Sequence, residues 1–202
     1  GLDWTRFRQP APCAVAFPAS IDQVQSLVRF AAEEGIALVP SGGRTGLSGG
    51  AVAEHGELVV SFDRMRKILE FNEIDRSLRV EPGVITATVQ AFARDHGLSY
   101  PVSFASEGSS QVGGNIATNA GGIRVLRYGL TRDRVIGLKV VTGRGDLLDC
   151  NKGLVKNASG YDLRHLFIGS EGTLGLIVEA TIQLAETPPP SKVMLLGVDS
   201  MD

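Results

Sequence analysis

The sequence predicts an α+β fold in two lobes: a small amino-terminal lobe containing a βαβ unit, and a larger lobe of mixed and antiparallel sheet with helices. Three observations predict it. An amphipathic helix near the amino end is flanked by short apolar runs. Further along, alternating runs come in pairs joined by tight turns. Glycine, 25 residues of 202, gathers at 42–56, 108–122 and 169–175. Clustered glycine marks backbone that turns sharply or approaches something closely, so three clusters suggest one ligand held by several loops.

CAVAF (13–17) is a short apolar run ended by Pro18 and reads as a buried strand. Ser20 is placed as an N-cap, with Gln23 completing a capping box. Ile21, Val24, Leu27, Val28, Ala31 and Ala32 then recur at helical spacing, and Gly35 ends the helix. IALVP (36–40) is a second strand, parallel to the first across a βαβ unit. ELVVSF (57–62) is a third. KILEFN (67–72) and SLRVEPG (77–83) alternate like antiparallel neighbours turning at 73–76. Thr86 to His96 is a helix closed by Gly97, with Val89, Phe92 and Ala93 inward. Residues 113–122 hold one or two helical turns. VIGLKVVT (135–142) and DLLDC (146–150) make a hairpin about Gly143–Gly145, Leu163 to Phe167 a helical turn, and 173–184 a long strand. A new strand is expected over 192–198, after the proline run 188–190. Gly1 is not a methionine, and that last strand opens just before the end, so both ends read as cut.

The bulk composition is that of a globular chain: 43% hydrophobic, 21% charged, net charge −2. That balance supplies no basic field for nucleic acid. No apolar run approaches the ~18–20 residues that span a bilayer, and the amino end has no signal-like pattern. Cys13 and Cys150 are too few for a disulfide framework and read as two buried free thiols.

The loop 41–51 places five glycines with Ser41, Arg44 and Thr45 directly after a strand. Successive N–H groups on such a turn form a concave nest for a phosphate or pyrophosphate; a surface loop is the plainer alternative. A Walker loop is excluded because the chain has no Gly-Lys pair, and a Rossmann turn because G-x-G-x-x-G opening a helix is absent. GGNIATNAGG (113–122) and IGSEGTLG (168–175) are rich in backbone donors and nearly uncharged. Asn115, Thr118 and Asn119 both give and accept hydrogen bonds, which suits a heterocycle with mixed donors and acceptors. Two tight turns bracing a β domain would look the same.

Together, PSGGRTGLSGG (40–50), EPGV (81–84), GSSQVGGNIATNAGG (108–122), RYG (127–129) and GYDLRHLFIGSEGTLGLI (160–177) resemble the FAD-linked oxidase family, whose flavin fold is that of vanillyl-alcohol oxidase. The resemblance runs from Pro12 to Leu184 and is strongest to members that oxidise D-2-hydroxy acids of the 2-hydroxyglutarate, lactate or glycolate type. It implies FAD lying between the lobes. Pro40, Ser41, Gly42, Gly43, Arg44, Thr45, Gly46 and Leu47 would hold the pyrophosphate. Pro82, Gly83 and Val84 would line the adenine-ribose side. Gly108, Ser109, Ser110, Gly113, Gly114, Asn115, Ala117 and Thr118 would follow the ribityl chain and ring, and Glu171, Gly172, Gly175 and Ile177 would close the adenine end. Ser110 and Gln111 depart from relatives that carry cysteine or threonine before another residue.

Some relatives tether the flavin through a histidine in the pyrophosphate loop; 41–51 has none, so the expectation is non-covalent FAD. His55, His96 and His165 show no metal-ligand spacing. The resemblance puts the base and metal ligands in a cap domain and so assigns no catalytic residue here. Arg124, Arg127 and Lys156 are candidates for the flavin edge or a substrate carboxylate, against solvated surface; Tyr161 is a candidate for stacking, against core packing. The expected organisation is an FAD-binding domain over 12–190, with lobes of about 12–75 and 76–187, and the start of a truncated substrate domain at 191–202. The implied enzyme oxidises a small 2-hydroxy acid and passes electrons to a quinone or an electron-transfer flavoprotein. It would be cytoplasmic or peripheral at the inner membrane, with a homodimer of the full-length protein as its expected assembly. The alternatives are a non-catalytic nucleotide- or phosphate-binding module and a same-fold flavoenzyme acting on another alcohol.

Overall fold

A computed structural model describes residues 3, 4, 7–154, 156–190, 192, 194 and 197. The strand expected over 192–198 falls mostly outside them. The first lobe is a parallel sheet of β1 (Ala14–Ala16), β2 (Leu38–Ser41) and β3 (Leu58–Ser61) in the order β1-β3-β2. β1 and β2 are parallel, as a βαβ unit requires, but β3 lies between them and pairs with both. β3 is buried along its whole length for that reason. β1 is an edge strand. It corrects the expectation of a buried one, since Val15 and Phe17 are each more than 40% exposed and Phe17 lies under the Arg64 guanidinium.

α1 (Ile21–Glu33) crosses between the strands. Ser20 Oγ accepts from Gln23 N at 3.3 Å, and Gln23 Oε1 accepts from Ala19 N at 2.8 Å. The reciprocal cap thus reaches one residue further back than the expected box. Val24 and Val28 point from α1 onto Val60, Phe62, Met65, Val141, Leu176 and Val178. This apolar seam joins the lobes.

The second lobe is a five-stranded antiparallel sheet of β4 (Ile68–Asn72), β5 (Ser77–Val80), β7 (Val135–Thr142), β8 (Leu147–Cys150) and β9 (Gly175–Gln183), in the order β4-β5-β9-β7-β8. β4 and β5 form one hairpin, so a lobe boundary near 75 would cut paired strands; the passage between the sheets runs through 62–67 instead. α2 (Thr86–Asp95) and α3 (Val112–Ala117) cover one face. Val89, Ala93, Val112 and Ile116 pack there on Leu78, Val80, Leu138 and Ile182, all almost fully buried. Less expected are the short helix α4 (Val125–Tyr128), a 3-10 turn at Thr131–Arg134, and a two-stranded sheet of β6 (Leu98–Ser99) with β10 (Ala185–Glu186). α5 (Arg164–Phe167) leads into β9.

Candidate functional site

β2 ends at the buried Ser41, and the chain leaves the first sheet as the glycine-rich loop. A Cβ on Gly43 would lie 2.2 Å from the Ser109 carbonyl oxygen and 2.9 Å from Ser110 Cα. No side chain fits there, so glycine lets this loop lie flat on the segment before α3. That segment is itself braced. Thr86 Oγ1 lies 2.7 Å from Ser110 Oγ and accepts from Asn115 Nδ2 at 2.7 Å, in a buried polar triad. The end of α3 is tied to the segment before β9, because Gly169 N donates to Ile116 O and Glu171 N to Ala117 O at 2.8 Å. Gly172, at φ +81, would carry a Cβ 2.4 Å from Pro40 Cγ, closing the ring of loops.

These loops enclose a cavity of about 530 Å³, within the range of small-molecule and cofactor sites. Pro40, Gly42 to Leu47, Gly113, Gly114, Asn115, Ala117, Thr118, Glu171, Gly172, Gly175 and Ile177 line it. Ser41, Pro82, Gly83, Val84, Gly108, Ser109 and Ser110 do not; Gly108 and Ser109 are exposed and the other five are buried. Gly83 N donates to Met65 O, Gly113 N to Pro82 O and Val112 N to Val84 O, so the 82–84 turn fixes the start of α3. Other wall residues include Asp3, Phe62, Phe104, Ser106, Gln111, Asn119 and Leu176. Gln111 and Asn119 lie within the glycine-rich motif and were legible there; Asp3, Phe62 and Phe104 are brought in only by tertiary packing.

Among the described lining residues the charged side chains are Asp3, Arg44 and Glu171. Three non-glycine residues on the wall have left-handed backbone, Arg44, Asn119 and Glu171, with φ of 56, 47 and 52°. Such conformations gather at ligand sites, where surrounding structure holds them. Asn119 is held by its Oδ1 accepting from Arg132 N.

The candidate cations lie elsewhere. Arg124, Arg127 and Lys156 are exposed, with Arg127 stacked on Tyr128, and Tyr161 is 96% exposed, so it does not pack in the core. His96 stacks on Phe92 and bonds its carbonyl oxygen, and His165 meets Arg132. Among the described residues no three His, Cys, Asp or Glu gather as a metal site, and no helix is long and apolar enough to cross a membrane. Cys13 is exposed, correcting the expected burial, because it immediately precedes the edge strand; Cys150 is buried.

Residues 12–151 match the family model described as FAD binding domain. The chain belongs to this family. It is 62% identical over 202 residues to the D-2-hydroxyglutarate dehydrogenase of Stutzerimonas stutzeri (strain A1501), covering all of this chain and 44% of that protein. To the glycolate oxidase subunit GlcD of Bacillus subtilis (strain 168) it is 40% identical over 200 residues, 99% of this chain and 43% of that one. A solved alkyldihydroxyacetonephosphate synthase superposes with a TM-score of 0.75 at 26% identity, over 87% of this chain and 34% of its own. The FAD-binding domain thus has the two-lobed flavin fold of the vanillyl-alcohol oxidase type, and it spans less than half the length of these relatives.

The residues present fit FAD. The cradle is backbone-lined where a Cβ would intrude, its wall is sparsely charged and mixes apolar surface with hydrogen-bonding groups, and one buried acceptor, Gln111 Oε1, has no partner among the described residues.

Proposed function

We propose that this chain is the cofactor-holding part, about residues 12–190, of a dehydrogenase that oxidises a small D-2-hydroxy acid to its 2-oxo acid, with FAD held non-covalently in the cavity. The observation that carries the reading is the convergence of three glycine-rich, nearly uncharged segments on one cavity. The names of the relatives give the substrate class. Bound FAD supplies a two-electron acceptor for the hydride lost from C2.

The chain's own residues bind and orient. Gly42 to Leu47 hold the pyrophosphate, and Gly113 to Thr118 the ribityl and ring side, while Glu171, Gly172 and Ile177 close the far end. Pro82 to Val84 and Gly108 to Ser110 act one step behind, by fixing the loops that touch the cofactor. Non-covalent binding is supported by the wall itself, where Gly42 to Ala51 offer neither histidine nor cysteine to a flavin methyl group. The hydroxyl proton goes to a base carried by the remainder of the protein. Electrons leave to a quinone or an electron-transfer flavoprotein, in the cytoplasm or at the inner face of the membrane.

The test uses the complete protein. Its visible spectrum should show flavin, acid precipitation should leave that flavin in the supernatant, and anaerobic D-2-hydroxyglutarate, D-lactate or glycolate should bleach it. Flavin retained in the pellet would overturn non-covalent binding. A flavoprotein bleached by none of the three would overturn the substrate class.

A further inference from the structure

Gln111 immediately precedes α3, where its backbone forms an isolated bridge with Ile85, and its side chain is 3% exposed in the cavity wall. Its two amide atoms are in unlike settings. Nε2 donates to Asp63 Oδ1 at 2.8 Å. Oε1 is buried and, among the described residues, without a partner; it sits 3.4 Å from where a Gly42 Cβ would be.

The amide cannot turn over. A reversed Gln111 would set Oε1 against the Asp63 carboxylate, two acceptors with no proton between them. Asp63 remains a carboxylate: burial pushes it up, but hydrogen bonds from Arg66, Ser61 and Gln111 outweigh that and hold it low. The Arg66–Asp63 pair therefore fixes the amide with Nε2 toward Asp63 and Oε1 on the Gly42 side, within the cavity wall. A buried acceptor calls for a donor.

We propose that Gln111 is a cofactor-binding residue whose Oε1 accepts a hydrogen bond from a hydroxyl or N–H of FAD, and that Asp63 positions it. This rests on the FAD reading above and adds a constraint to it. FAD phosphates are ionised acceptors, so no phosphate oxygen is the partner of Gln111 Oε1. The donor is a hydroxyl of the ribityl chain or ribose, or an N–H of either ring system.

The experiment strips the complete protein of flavin and measures the FAD Kd by fluorescence. Gln111→Met keeps length and volume but removes both polar atoms, and should raise Kd about tenfold, the worth of one hydrogen bond. The apoprotein should melt within a few degrees of wild type. If Gln111→Met does not fold, Gln111→Asn withdraws the acceptor by one carbon and should weaken FAD in the same direction. ADP competition locates the donor: an unchanged ADP Kd puts it on the flavin half, an equal loss on the adenosine half. Asp63→Asn should weaken FAD too, with no further loss when combined with Gln111→Met. Losses that simply add would remove Asp63 as the positioning residue. Unchanged FAD binding in a folded Gln111→Met protein overturns the proposal, whereas a wild-type apoprotein that binds no FAD overturns the reading beneath it.

Discussion

At Gly43 the backbone runs so close to Ser109 that a methyl group would overlap its carbonyl oxygen. Gly43→Ala must push the glycine-rich loop off the segment before α3. Overpacking of this kind costs about 1–3 kcal/mol, which urea denaturation of the complete apoprotein would register, and FAD affinity should fall with it. An unchanged midpoint would mean the two loops do not touch. The thiols diverge as well. Burial, then Asp149 and Asp162, push Cys150 up, keeping it protonated and sheltered, while Cys13 is open to solvent. Brief iodoacetamide treatment at neutral pH should label Cys13 and spare Cys150, read by peptide mass spectrometry. Sequence pattern alone placed both thiols in strands; β1 and β8 both lie on sheet edges, and what separates the thiols is that Cys150 packs into the core of the second lobe while Cys13 precedes β1 in the open. The glycines were legible as close approaches. What each approaches was not, because Gly43 meets Ser109, and Gly172 meets Pro40, across long stretches of chain.

Elements governed by local chemistry stand where the pattern put them. α1 is an example: a hydroxyl cap, a glutamine reaching back, and apolar residues at helical spacing make a signal within one short segment. Ser20→Ala removes the acceptor for Gln23 N and should cost about 1 kcal/mol of stability, measured by chemical denaturation. Retained stability would mean that Gln23 and the fit of α1 against the second sheet suffice. The β4–β5 and β7–β8 hairpins were legible for the same reason, since turn and strands are contiguous. Strand order was not. That β3 inserts between β1 and β2, and that β10 finds β6, depends on contacts between distant segments, and two-residue strands carry no periodicity to read. The Ala11 N–Ala53 O bond, tying the segment after the glycine-rich loop to the segment before β1, is equally invisible in a local window.

The described residues form two lobes joined by the α1 seam, and both lobes send loops to one cavity. Asp63 belongs to the passage between them and Asp162 to the approach to α5. Hydrogen bonding holds both carboxyls below their ordinary range, Asp162 chiefly through Arg164. A carboxyl with a lowered folded pKa contributes stability above its unfolded pKa and loses it as pH falls through the folded one. The protein should therefore be at full strength on this account near neutrality and weaken only below the ordinary carboxylate range. Asp63→Asn should flatten that acid limb in denaturation curves taken at successive pH values. Cofactor binding gives the complementary prediction. FAD held by loops of both lobes binds the folded state only, so at a free concentration 100-fold above Kd it should add about 2.7 kcal/mol. Because its walls come from segments as far apart as Gly42 and Gly172, local opening of either lobe destroys the site. Hydrogen exchange should then slow on FAD binding in β2 and β3 as well as in α3 and the start of β9. Protection confined to one lobe would mean that the cofactor is held by one set of loops, and that the seam along Val24 and Val28 joins the lobes unaided.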